Sequence, residues 1–138
     1  MRILSVDYGL ARIGLALSDP TCLLAQGLRV LKRESDAKAI TSLQAVIEEN
    51  EVGEVVVGLP RNMNGTIGER ARQCQSFADL LSQVVSIPVV LYDERLTTVA
   101  ATRVLLEADM SRKKRKRVVD EVAATILLQN YLDYKRRK

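Results

Sequence analysis

Three acidic residues, Asp7, Glu94 and Asp120, sit where a folded chain could bring them together. Asp7 ends the apolar run Arg2-Ile3-Leu4-Ser5-Val6 and is followed two residues later by Gly9. Asp93-Glu94-Arg95 closes a second run, Val89-Val90-Leu91-Tyr92, and Asp120 opens a helical pattern. A carboxylate at the end of a buried strand is costly unless positive charge meets it. In parallel sheets, ligands gather at the C-terminal strand ends. Two anions in one cleft repel, so a cation is the natural resolution. The chain contains no histidine. That removes Ser-His and Cys-His nucleophiles, histidine general bases and histidine-rich zinc sites. A metal here must take oxygen ligands, which favours Mg²⁺ or Mn²⁺.

A count of ~100° per residue from Val119 places Val119, Val122, Ala123, Ile126 and Leu127 on one apolar face of a final helix. Asp120 then falls just beyond Leu127, at the border of that face, while Glu121 points away into solvent. Each acid also has an ordinary use. Asp7 can cap a turn, Glu94 can pair with Arg95 or Arg12, and Asp120 can serve as a first-turn acid. Three separate elements aiming carboxylates at one place by chance is the less economical account.

The elements that would position them follow from periodicity. Arg2–Asp7, Arg12–Ser18 after a tight Tyr8-Gly9-Leu10-Ala11 turn, and a weaker segment from about Leu23 to Lys32 read as three antiparallel strands joined by short turns. Ser35 or Asp36 caps a helix with Ala39, Ile40, Leu43, Val46 and Ile47 at helical spacing. Glu54–Gly58 is a nearly all-apolar strand, as expected when both sheet faces are covered. Thr66 is placed to cap a second helix striped by Ile67, Ala71, Cys74, Ala78, Leu81 and Val85. After the Val89–Tyr92 strand, Thr97 or Thr98 caps a third helix through Leu105, and the last spans about Val118 to Tyr134. The order β-β-β-α-β-α-β-α-α implies right-handed parallel crossovers in the second half, within one domain over residues 1–138.

With 47% apolar and 28% charged residues, the composition is that of a soluble globular protein. No run of ~18 apolar residues and no signal-peptide pattern is present, so a cytoplasmic protein that does not engage a membrane is expected. Cys22 and Cys74 form no CxxC pair and read as reduced, buried thiols. Ten of the 21 cations lie in two runs, Arg112-Lys113-Lys114-Arg115-Lys116-Arg117 and Lys135–Lys138. The other 11 face all 17 acids, about −6. That asymmetry points to a polyanionic partner near the C-terminal third.

Four motifs resemble the YqgF/RuvX family. They are Asp7-Tyr8-Gly9-x-x-Arg12-Ile13-Gly14, Gly58-Leu59-Pro60-x-Asn62-Met63-x-Gly65-Thr66, Asp93-Glu94-Arg95-Leu96-Thr97-Thr98, and Lys116-x-x-x-Asp120-x-x-Ala123-Ala124 with Ile126-Leu127 and Tyr131-Leu132 after it. The resemblance covers nearly the whole chain in order. The family is an RNase H-like group related to the RuvC Holliday-junction resolvases and described as nucleases of precursor 16S rRNA. It implies an α/β, RNase H-like fold with a five-stranded mixed sheet of order 3-2-1-4-5 flanked by helices. It also implies catalytic and metal-binding roles for Asp7, Glu94 and Asp120. RuvC-like resolvases carry an acid at the end of the fourth strand. This chain has Gly58-Leu59-Pro60 there, so Glu94 must substitute.

The expected chemistry is two-metal phosphodiester hydrolysis, with Asp7 bridging the ions and Glu94 and Asp120 each holding one. Arg112, Lys113, Lys114, Arg115, Lys116 and Arg117 would clamp a nucleic-acid backbone just ahead of the last helix. Arg12, Arg61 and Arg95 beside the cleft would hold phosphates. The partner is structured RNA or branched DNA, and the protein a monomer or weak homodimer. Two other classes fit parts of the pattern: a sugar-kinase- or actin-like phosphotransfer domain, and a non-catalytic RNA- or ribosome-associated factor.

Overall fold

The computed structural model describes residues 1–62, 64–94 and 112–137, with the side chains of 112–118 outside that description. The expected helix from Thr97 or Thr98, together with Met63 and Arg95, lies outside the described residues.

Five strands, β1 (Arg2–Tyr8), β2 (Arg12–Ser18), β3 (Ala25–Lys32), β4 (Val52–Leu59) and β5 (Val89–Asp93), form one sheet in the order β3-β2-β1-β4-β5. The β1–β2 and β2–β3 pairs are antiparallel, and β4 and β5 join in parallel. Helices α1 (Asp36–Glu49), α2 (Glu69–Val84) and α3 (Arg112–Arg136) complete the described elements.

Strand alternation divides the core in two. Leu4, Val6 and Tyr8 of β1 face α1 and α2, where Leu43, Phe77 and Leu81 are fully buried. Ile3 faces α3 instead, with Ala16 and Val56 beside it and Ala123, Leu127 and Leu128 above. β4 is apolar on both faces because both are covered. Ser35 caps α1, its hydroxyl accepting from the Lys38 N–H. Thr66 does not cap α2. It is taken up by a local turn in which its N–H and Oγ meet Asn64 Oδ1, and α2 begins after Gly68 without a side-chain cap.

The last helix departs from the sequence expectation in two ways. It begins at Arg112, so the basic run forms its first turns instead of preceding it. Its buried face comprises Val119, Ala123, Ala124, Leu127, Leu128, Tyr131 and Leu132, with Val122 and Ile126 only half-buried. The face is thus rotated from the one counted, and Asp120 falls near its middle. Glu121 lies on its flank, half-buried, its carboxylate so close to Gly27 of β3 that a Cβ there would approach Oε1 to 2.5 Å. The expectation that Glu121 is solvated is wrong. Gly27 leaves a vacancy on the sheet that an apolar count along one helix cannot register.

No described helix is long and apolar enough to cross a membrane. Both cysteines are free; Cys74 is buried and Cys22 half-buried.

Candidate active site

The α3 face of β1 carries Ile3, Ser5 and Asp7 in sequence. Ser5 donates from Oγ to the Ala124 carbonyl at 2.7 Å, tying the helix to the strand one step before Asp7. Asp7 is 4% exposed and pairs with Gly14 of β2. Gly14 is where α3 touches the sheet: a Cβ there would lie 2.2 Å from the Asp120 carbonyl oxygen. Asp120 is therefore seated directly over Asp7's neighbour. On the other side, β1 and β4 run in register to Val6↔Val57, so Asp7 lies beside Gly58. A Cβ on Gly58 would stand 2.5 Å from Glu94 Oε1. Adjacent strands are about 5 Å apart, so Glu94, reaching back from the end of β5, lays its carboxylate one strand spacing from Asp7.

Both glycines have ordinary negative φ; the positive-φ glycine among the described residues is Gly65. Gly14 and Gly58 are glycines for space. Each leaves a gap in a sheet row, and each gap is filled by an element bearing an acid. This explains the missing acid at the end of β4, since Glu94 occupies the volume a side chain at Gly58 would need.

Three carboxylates with no nitrogen or thiolate among them suit a hard divalent ion by donor type. As placed, no three acidic or thiol side chains among the described residues close tightly enough on one point to hold an ion. The backbone positions that carry them are adjacent, with the Asp120 carbonyl over Gly14, Asp7 beside it, and Glu94 against Gly58.

Behind the site, Cys74 of α2 has its thiol 3.9 Å from the Tyr8 carbonyl. Burial pushes this thiol up to about 12; Arg70 opposes the shift, and the charges of Glu94 and Asp7 add to it. The neutral thiol is no competing ligand. Because the folded value is raised, the associated stability is present below the unfolded value and is lost as pH climbs from there towards about 12. Cys74→Ala is expected to lose less stability than the parent between about pH 8 and pH 11 in urea melts; parallel pH profiles would remove this role.

Arg12 begins β2 on the Asp7 face, two residues before Gly14, with Lys32 of β3 as its register partner. Arg61, in the loop after β4, lies 3.7 Å from Asp93 Oδ2 through Nη1. Its Nε is buried without a hydrogen-bond partner among the described residues. Both arginines lie at the strand ends where Asp7 and Glu94 emerge. Arg95 lies outside the described residues. Arg112, Lys113, Lys114, Arg115, Lys116 and Arg117 are placed by backbone alone, in the turns of α3 ahead of Asp120. Sequence reasoning misses Ser5 and assigns Gly14 no part in the site beyond its place in a motif. A serine and two glycines alternating with apolar strand residues are the available signal.

A mixed sheet of order 3-2-1-4-5, with α1 and α2 on one face and α3 on the other, defines an RNase H-like protein. Solved structures with this fold include Thermus thermophilus RuvC in complex with a Holliday junction substrate, with TM-score 0.61, 16% identity, and 99% of this chain and 96% of that chain covered. The fowlpox virus Holliday junction resolvase matches with TM-score 0.54 at 15% identity, covering 97% and 99%. The model of the RuvX family, described as Holliday junction resolvase, matches residues 1–134, and the chain belongs to that family. A relative from Thermoanaerobacter pseudethanolicus, named "Putative pre-16S rRNA nuclease", is 50% identical over 139 residues and covers all of both chains. One of the same name from Clostridium kluyveri is 47% identical, covering 96% of this chain and 97% of its own.

Proposed function

We propose that the protein is a metal-dependent nuclease that hydrolyses phosphodiester bonds in the precursor of 16S rRNA. The observation that carries this is the arrangement of Asp7 between Gly14 and Gly58, with Asp120 over one glycine and Glu94 over the other. The relatives' shared name supports the choice of RNA.

Asp7, Glu94 and Asp120 would hold Mg²⁺ or Mn²⁺, with Asp7 between two ions. The ions would supply an activated water and charge stabilisation for the leaving oxygen of an in-line displacement. The chain's own part is to fix three acids on separate rigid elements and to exclude a protonatable nitrogen from among them. Arg12 and Arg61 would hold phosphates flanking the scissile bond, with Arg95 a further candidate.

The basic turns of α3 would grip the backbone. Six cations at a helix N-terminus oppose the macrodipole, so a bound polyanion relieves local repulsion as well as releasing counterions. Neutralising Arg112 to Arg117 is expected to weaken RNA binding and flatten its dependence on salt; every phosphate that no longer meets a cation reduces the log–log slope by about 0.7–0.9. Unchanged affinity across a salt series would refute the clamp.

The family description and the fold favour a second reading, cleavage of four-way DNA junctions. The deciding experiment compares cleavage of a 16S rRNA precursor and a four-way DNA junction by the same preparation, with Asp7→Asn as control. Metal-dependent turnover of RNA alone supports the first reading, and of the junction alone the second. Binding of either without turnover would point to a non-catalytic RNA-associated factor.

A further inference from the structure

We propose that the β1–β2 turn is a substrate-contacting finger: Leu10 packs on the face of an unpaired nucleobase beside the scissile phosphate, and Arg33 is the positioning residue that holds the turn. The proposal rests on the nucleic-acid reading above. Leu10 is 68% exposed, three residues beyond Asp7. A single exposed leucine is ordinary on a protein surface; this one stands on unusually constrained backbone. The Gly9 N–H donates to the Arg12 carbonyl at 2.9 Å, and the Arg33 N–H to the Ala11 carbonyl at 3.0 Å. Arg33 Nη1 donates to the Gly9 carbonyl at 3.1 Å, and its guanidinium lies 4.2 Å from the Tyr8 ring centroid. Tyr8 in turn stacks on Phe77 at 4.4 Å and donates to Asp36 Oδ1 at 2.6 Å. Arg70 Nη2 donates to the Tyr8 carbonyl at 3.3 Å. The turn is thus fixed from behind, and its tip is apolar.

Charge and composition favour a base as the contact. Arg12 and its register partner Lys32 adjoin the turn, and Arg33, which also meets Asp36 at 3.8 Å, lies behind it, so an anionic chain is drawn there chiefly by the first two. Aromatics are 4% of residues, and Tyr8 and Tyr92 are buried, so stacking on them is not available. Among the described residues, the other exposed large apolar side chains lie elsewhere: Met1, Leu23 and Leu24 at the opposite sheet end, Leu80 and Val84 on α2. An aliphatic tip reaches a base face only where the nucleotide is unstacked, because wedging into a duplex costs a few kcal/mol per step. A fixed tip loses little entropy on contact.

The test is made in the cleavage-deficient Asp7→Asn protein, with a labelled oligoribonucleotide used single-stranded or annealed to its complement. Leu10→Ser is expected to weaken single-strand binding about five- to thirtyfold, the equivalent of partial burial of one leucine. Duplex binding should change by less than about twofold, and the melting temperature should stay the same because the side chain is exposed. Arg33→Lys, which keeps the charge, should lower the preference for single strand with the salt slope unchanged. Equal affinity of Leu10→Ser for the single strand, or equal weakening on both probes, would overturn the contact. An unchanged preference in Arg33→Lys would overturn the positioning role. These are binding measurements, so absence of cleavage by the parent protein would count against the nuclease reading alone.

Discussion

Replacing Asp7 by asparagine is expected to abolish Mg²⁺- or Mn²⁺-dependent cleavage while the protein stays folded and still binds nucleic acid. Asn preserves the shape of a side chain that is 4% exposed on an interior strand, so the sheet has no reason to rearrange. It removes the carboxylate on the strand position between Gly14 and Gly58, the acid proposed above as the centre of the site. A loss of roughly a thousandfold or more, about 4 kcal/mol of transition-state stabilisation, is the scale expected for a metal-bridging acid. A second readout is independent of turnover. Mn²⁺ should raise the melting temperature of the parent, because an ion bound to the native state stabilises it by mass action, and should not raise that of the variant. Full residual cleavage, or an undiminished Mn²⁺ shift, would defeat the assignment.

Gly14→Ala and Gly58→Ala are expected to fail in different ways. At Gly14 the new methyl meets the backbone carbonyl of Asp120 at 2.2 Å, and no rotamer can relieve that. The helix must lift from β2, which strains the Ser5–Ala124 bond and the packing of Ala124 and Leu127. Overpacking of this kind costs about 1–3 kcal/mol; stability and cleavage should fall together. At Gly58 the nearest atom is Glu94 Oε1, at the far end of a long side chain, with Leu127 Cδ2 at 3.1 Å behind it. Folding should lose less than about 1 kcal/mol, while cleavage falls roughly 10–100-fold as Glu94 is displaced, the scale seen when support for a ligand is removed. Urea melts and cleavage rates on the two variants separate these outcomes. A Gly58→Ala protein with full activity would show that Glu94 has no part in the site.

Much of this arrangement is legible in the sequence because strand alternation and glycine placement are local signals. The β2 range and the Ser35 cap are as expected, and the sheet order is the one the family resemblance implies. The failures have separate causes, some local and some between elements. Apolar periodicity starts at Val118 and so predicts a helix start there. Lysine and arginine are good helix formers, and α3 runs through them from Arg112. The angle on its own helix sends Glu121 to solvent, whereas Gly27 on β3 decides what that flank can accept. Thr66 has the chemistry of a cap, but Asn64 and Asn62 compete for it first. The gap above Gly58 is invisible without the register that sets β5 beside β4.

Helix α3 is one rod of 25 residues, about 37 Å long at 1.5 Å per residue. Its far end is moored to β4, where Tyr131 donates to Glu54 Oε2 and Lys135 Nζ lies 2.7 Å from Glu54 Oε1. Asp120 sits part-way along, with the basic turns at the helix N-terminus. Mechanically this is a beam bedded along the sheet, with the Asp120 carbonyl over Gly14 as its tightest contact. A polyanion held by the basic turns, as proposed above, would load this beam through the stretch that carries Asp120, with the Glu54 mooring resisting at the far end.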